Sequence, residues 1–209
     1  MTLESSKTLG GVGALLMVIG PFLGAYTGVL GLIGLILVMI ALKGLSDHYN
    51  DAGIFNNALY GFIMAIIGGV ISVAVIVVAA VDFLSAVGID ISTAWSDPTA
   101  FSSINWEELV TWDILWPHIA AIIGSLVLLF VFVVVAAIFL RRSLTTLSEK
   151  TGVGLFGTTG LLTLIGAILT IIGVGFILLW VALILLIVAF FSIKPTTTQP
   201  PVAPPQPPP

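Results

Sequence analysis

The sequence predicts an all-α protein: a polytopic transmembrane bundle of six helices that includes two tight hairpins. Composition is the first reason. Of 209 residues, 59% are hydrophobic and 8% are charged, against roughly a quarter charged in soluble domains. A soluble protein of this size must still present a solvated shell, whereas lipid removes that requirement. The second reason is run length, because uncharged stretches reach 34 residues at Leu9–Leu42 and 42 at Gly152–Ile193. The third is charge placement. Lys7, Lys43, Arg141, Arg142, Lys150 and Lys194 all fall in gaps that six helices leave on one side, while the segment from Asp82 to Trp116 carries six acids and no base. Basic residues near membrane segments are retained in the cytoplasm, so both termini are expected there, in a cell-membrane protein.

Taken in order, Leu9–Leu42 would measure about 51 Å as one helix, against a hydrocarbon core of about 30 Å. Gly20-Pro21 and the cluster Gly24, Tyr26, Thr27, Gly28 interrupt it, because proline removes a donor and glycine loosens the backbone. A hairpin with spans near 9–23 and 26–42 is expected, its legs barely long enough to cross. No small-x-small cleavage site follows Lys7, so the first span reads as uncleaved. The polar stretch from Lys43 to Asn57 returns the chain to a third span near 58–81. The outer segment 82–117 holds four of the five tryptophans, and Asn105-Trp106-Glu107-Glu108 has capping-box form. A short helix lying along the outer interface is expected there. Ile119–Leu140 is a fourth span, followed by an inner polar loop from Arg141 to Thr151. Spans near 154–172 and 175–193 form the second hairpin, broken at Gly173 and Gly175. The two double-length runs resemble each other (Gly34–Ala41 on Ala182–Ala189), as in transporters built from repeats.

Residues 1–194 thus form the membrane domain, and 195–209 form a cytoplasmic tail. The tail holds eight of eleven prolines and reads as a polyproline II spacer. Its Pro201-Val-Ala-Pro204 stretch fits a docking motif for a cytoplasmic partner.

Chemistry is sparse. The chain has no cysteine, which excludes thiol catalysis and disulfides. No phosphate loop, dinucleotide fingerprint or metal-ligand spacing is present, so no cofactor and no metal are expected. A basic face of about +2 is too weak for nucleic acid. Asp82 and His118 sit at outer helix ends as interfacial polar caps, or alternatively as a pair at the mouth of a pore. Gly20, Gly24 and Gly28, and Gly61, Ala65 and Gly69, repeat every four positions as helix-packing stripes. Thr158, Thr159, Thr163 and Thr170 can bond to their own helix backbones.

The stretch from Gly31 through Leu42-Lys-Gly-Leu-Ser-Asp47 to Asp51, continuing over Ile54–Tyr60, resembles a signature of the mainly archaeal membrane-protein family catalogued as domain of unknown function 996. Leu9-Gly-Gly-Val-Gly13 and Thr151–Phe156 match its style. The resemblance implies a multi-pass integral membrane protein and carries over no functional residues. Physically, Lys43 can reach headgroup phosphates, Asp47 and Asp51 can cap helix starts, and Tyr49 and Tyr60 can anchor at the boundary. Lys43, Asp47, His48 and Asp51 form the inner candidate site; Asp82 and His118 form the outer one. The function expected is non-enzymatic, acting through helix packing and contacts with the bilayer, with further copies of itself or with other membrane proteins. A small channel or transporter for a neutral solute is the alternative, and a membrane-lipid enzyme is the third reading.

Overall fold

Helix boundaries follow local backbone chemistry more than the edges of the apolar runs. The computed structural model of the protein describes residues 2–24, 27–88, 99 and 111–194. Helix α1 (Leu3–Ile19) starts at Thr2, whose Oγ1 accepts from the Ser5 N–H at 3.2 Å. It ends where Gly20–Phe22 tightens into a 3-10 turn and Gly24 takes φ +58°. Helix α2 (Thr27–His48) is followed by Asn50 at φ 50°. Helix α3 (Ala52–Ala86) begins on Asp51 and runs unbroken for 35 residues. Helix α4 (Trp112–Thr151) runs for 40 and stops at Gly152, φ +70°. Helix α5 (Gly154–Leu169) passes through a 3-10 turn, Thr170–Ile172, and Gly173 at φ +81° into α6 (Gly175–Phe191).

Among the described residues six helices and two hairpins are therefore present, α1–α2 and α5–α6. Two expected polar loops are largely helical. Lys43 lies inside α2, and Arg141–Thr151, expected as a loop, forms the last turns of α4. Leaving an apolar run does not end a helix. At these two places the chain turns where a residue adopts the left-handed conformation, Asn50 and Gly152. The segment around Asn105 and the proline tail lie outside the described residues.

Each helix packs on its neighbours in the chain, and α1 closes against α6. Successive helices are antiparallel. The start of α1, the ends of α2, α4 and α6 and the starts of α3 and α5 thus meet at one end, which gathers all six basic residues. The large buried side chains sit at this basic end: Leu42, Leu45, Ile54, Leu144, Leu147, Phe156, Phe190 and Ile193 are each at most 1% exposed. Along the rest of α3 the buried residues are small. Gly61, Gly68, Ser72 and Ala79 face α4, with a Cβ at Gly61 falling 2.8 Å from the Ala136 carbonyl and one at Gly68 falling on Phe132. Their steps of seven and four are the seam of a left-handed pair. The expected stripe of Gly61, Ala65 and Gly69 is corrected accordingly: Ala65 is exposed and a Cβ at Gly69 meets nothing within 4 Å. Gly28 likewise meets nothing; the close approach in the first hairpin is Gly13 on Gly34.

The two joints at the basic end repeat each other at a step of 102 residues. Ser46 Oγ donates to the Asp51 carbonyl at 2.8 Å, and Ser148 Oγ to the Val153 carbonyl at 3.0 Å. The left-handed residues Asn50 and Gly152 hold matching places. So do the buried pairs Leu42 and Leu144, Leu45 and Leu147, and Ile54 and Phe156. In each joint the serine adds a second donor to the carbonyl of the N-cap residue, which also accepts from the N–H three residues on, Ile54 at 3.3 Å and Phe156 at 3.2 Å.

Candidate functional site

The six candidate residues separate into two groups at opposite ends of α3. From Asp51 to Asp82 the helix rises about 46 Å at 1.5 Å per residue, so no single site unites them.

At the basic end, Lys43 Nζ donates to Asp47 Oδ1 at 2.6 Å, four residues along the exposed face of α2. The Lys43 ammonium also lies 5.6 Å from the Phe55 ring centroid. Asp47 is thus in the last turn of a helix and does not cap one, contrary to expectation. Asp51 does cap: its Oδ1 accepts from the Gly53 N–H at 2.9 Å, and its Oδ2 lies 3.2 Å from Lys150 Nζ. This ion pair ties the first joint to the second. His48 stands edge-on to Tyr49, with ring centroids 4.9 Å apart. Burial pushes the Tyr49 phenol above its ordinary value of 10.0, because the charged phenolate loses solvent. Tyr60 is half exposed and edge-on to Phe139. Deeper in the joint, Ser143 Oγ, itself fully buried, donates to the Ile54 carbonyl at 2.6 Å and locks α4 to α3.

At the far end, Asp82 and His118 line one cleft of about 360 Å³ between α3 and α4, with Ala74, Val78 and Pro117. They form no ion pair: the described pairs are Lys43–Asp47 and Lys150–Asp51. His118 Nδ1 instead bonds the Ile114 carbonyl at 2.7 Å, which makes Nδ1 the protonated nitrogen, and its ring meets Phe83 edge-on at 5.5 Å. The pairing considered for a pore mouth is not formed among the described ion pairs, and the Nδ1 side of the histidine is bound to its own helix. Near it, Trp112 and Trp116 stack at 5.5 Å on the exposed side of α4.

Between these ends, buried polar groups are hydroxyls satisfied by backbone. Ser72 Oγ donates across to the Ser125 carbonyl at 3.0 Å, and Ser125 Oγ to that of Ile122 at 2.8 Å. Thr158, Thr159, Thr163 and Thr170 each donate to a carbonyl three or four residues back. Among the described residues no buried side-chain N or O lacks a partner. Of these, the Ser72 bond crosses between helices, and the others stay within their own helix.

Two features escaped the reading from sequence. Leu45-Ser46-Asp47 and Leu147-Ser148-Glu149 carry the joint repeat, and their likeness is visible in the sequence itself. Arg141 and Arg142, seen there only as markers of orientation, line a groove of about 570 Å³ along α4, bordered by Leu164 of α5 and Asn57 of α3.

Among the described residues, an all-helical bundle with four helices long and apolar enough to cross a membrane is the class defined by this geometry. No group of three or more metal-ligating side chains occurs among the described residues. The chain belongs to the family of proteins of unknown function designated DUF996, whose model matches residues 30–184. It is similar to uncharacterized protein MJ1644 of Methanocaldococcus jannaschii, at 33% identity over 193 residues that cover 92% of this chain and 94% of that protein. No solved structure matches it. The resemblance carried by residues 31–60 is borne out.

Proposed function

We propose that this is an integral membrane protein of the cell membrane that works through helix packing and contacts with partners in the bilayer, with its basic end and both termini in the cytoplasm. The observation that carries this reading is the contrast between the two ends. The basic end is filled by Phe156, Phe190 and the leucines around them, which leaves packed side chains where a solute path would open. The far halves of α3 and α4 pair with each other and turn Val73, Val77, Ile123 and Val127 outward, each more than half exposed. In lipid such a two-helix pair is free to meet another copy or another membrane protein. A neutral-solute channel is less well supported for the same reason.

Among the described residues four helices are long enough to cross by length alone; the number of full crossings depends on how much of each lies beyond the headgroup level. With headgroups at Arg141 and Arg142, the apolar run back to Ile119 spans about 33 Å, enough to cross. Gly160 of α5 lies beside Arg141, which leaves α5 about 15 Å of helix before its turn. The hairpin tips expose Phe22, Ile171, Ile172, Phe176 and Ile177, each about two-thirds exposed or more, side chains suited to lipid and not to water. In this reading α3 and α4 cross completely, while the hairpins enter from the basic side and return within the bilayer. A hairpin collects the bases on one face whether or not it reaches the far surface, so charge placement favours both arrangements equally.

Single cysteines test this cleanly in a chain that has none. With an impermeant thiol reagent added outside cells, Ser85→Cys is expected to react, and Arg142→Cys and Ile172→Cys to stay unreacted. Labelling of Arg142→Cys would overturn the orientation, and labelling of Ile172→Cys would overturn the returning hairpin. Size measurement in gentle detergent tests the partner reading: a lone monomer, with solute flux in liposomes above the lipid background, would reject it.

A further inference from the structure

The 102-residue step that relates the joints also relates two surface grooves, each of about 570 Å³. One lies between α2 and α3; the other lies along α4, with Leu164 of α5 on one side and Asn57 of α3 also in its wall. Ile36, Lys43 and Phe62 in the first occupy the places of Ile138, Thr145 and Leu164 in the second. The walls match, but the charges do not. In the first groove the cation Lys43 is neutralised by Asp47 at 2.6 Å, and both line the groove. In the second, Arg141 and Arg142 replace Met39 and Ile40. Both arginines are exposed, and neither has a carboxylate partner among the described residues. Arg142 lies over the Phe139 ring at 5.9 Å.

We propose that the α4–α5 groove is a binding site for the phosphate of an anionic phospholipid, with a hydrocarbon chain running along Ile138 and Leu164. Two adjacent guanidinium groups offer a fork of donors that matches phosphate oxygens, and unpaired they leave a net charge of +2 to be met. The apolar lower wall favours a lipid over a free anion, since a soluble phosphate gains nothing from it. Basic pockets between membrane helices on the cytoplasmic side recognise anionic headgroups in this way. The α2–α3 groove, its charge already balanced, has no such preference. This inference rests on the reading that the basic end lies at the headgroups, but not on the identity of any protein partner.

The test is native mass spectrometry of the full-length protein in detergent, titrated with phosphatidylglycerol and with phosphatidylcholine of the same chains. Wild type is expected to hold one phosphatidylglycerol about thirtyfold more tightly than phosphatidylcholine, from two interfacial basic residues. The double variant Arg141→Gln/Arg142→Gln should lose that preference, and Lys43→Gln should keep it. Arg141→Lys/Arg142→Lys, which retains charge but not the fork, should keep part of it. An unchanged preference in the double glutamine variant, or an equal loss in Lys43→Gln, would overturn the assignment. So would displacement of phosphatidylglycerol by equimolar inorganic phosphate, which marks a site for a soluble anion. Should wild type bind both lipids alike while remaining helical and detergent-dependent, the groove proposal fails alone; solubility without detergent would sink the membrane reading instead.

Discussion

Gly61→Ala is the sharpest probe of how α3 and α4 are held together. A Cβ at this position falls 2.8 Å from the Ala136 carbonyl oxygen, with Phe139 Cβ at 3.4 Å and Leu140 N at 3.5 Å. Ordinary contact begins near 3.4 Å, so the new methyl is about 0.6 Å too close to backbone that cannot rotate away. The helices must separate, and the strain reaches the rest of the seam, including the 3.0 Å bond from Ser72 to the Ser125 carbonyl. Overpacking of this kind costs about 1–3 kcal/mol, and the better helix propensity of alanine returns up to about 1 kcal/mol. Gly69→Ala, eight residues on, receives the same propensity gain with nothing within 4 Å of its Cβ. The two variants should therefore differ by about 2 kcal/mol, with Gly61→Ala the weaker. Unfolding by added denaturing detergent, followed through the fluorescence of Trp112 and Trp116 near the far end of α4, reads the difference. Equal midpoints for the two variants would refute a seam built on backbone approach.

Three further outcomes follow from the joints. Ser143→Ala removes the buried bond to the Ile54 carbonyl and should cost about 1 kcal/mol, whereas Thr158→Ala, an exposed back-bonded hydroxyl, should cost almost nothing in the same unfolding assay. Asp51→Ala should cost about 1 kcal/mol through loss of the α3 cap. Lys150→Ala should cost less than about 0.5 kcal/mol, because the ion pair it removes is solvent-screened; equal losses would show that the ion pair, not the cap, is what matters. For Tyr49, the folded chain holds the phenolic proton to higher pH than the unfolded chain does. Stability should then fall as pH rises past the ordinary tyrosine range, and Tyr49→Phe should remove that slope. Absorbance titration of phenolate, wild type minus Tyr49→Phe, should give a midpoint above 10; a midpoint at or below 10 would contradict the burial.

What the sequence makes legible here is a set of apolar helices, four of them long enough to cross a membrane among the described residues, and chain reversal. Gly20-Pro21 and Gly173 announce the hairpin turns because their backbone requirements are local, and the side on which Lys7 and Lys194 emerge follows from counting turns. Packing was less legible. The glycine stripe at every fourth residue is real as a pattern, yet α3 buries Gly68 and Ser72 and leaves Ala65 and Gly69 open. Which face of an almost uniformly apolar helix turns inward is decided by the partner, and hydrophobic periodicity carries no signal when both faces are greasy. The pairing of Asp82 with His118 failed for a different reason. Proximity in the fold was right, but the Ile114 carbonyl four residues back was a nearer acceptor than any carboxylate. Asp47 likewise was drawn to Lys43 on its own helix, leaving Asp51 alone as the cap.

The distribution of large and small buried residues has a physical cause in the solvent. For a chain seated in lipid, burying a leucine against another helix gains little, since hydrocarbon tails are as apolar as leucine itself; helices associate there by close backbone approach and hydroxyl bonds. The interior of α3–α4 and of the hairpins fits that rule, being lined by Gly13, Gly34, Gly61, Gly68, Ser72, Ser125, Gly166 and Gly175. Where water reaches, burying a large apolar side chain contributes about 1.5–3 kcal/mol. The fully buried Phe156, Phe190, Leu45, Ile54, Leu147 and Ile193 cluster at the basic end. On the proposed membrane reading, the two joints behave as the knot of a water-facing core tied at the basic ends of six helices, with the far halves of α3 and α4 held by small-residue contact and the Ser72 bond. Perturbing Leu45 or Leu147 should loosen all six helices together, whereas perturbing Gly68 should part α3 from α4 and leave the knot intact. Hydrogen exchange in detergent distinguishes the two, because the joint amides should be the last to exchange in the second case and among the first in the first.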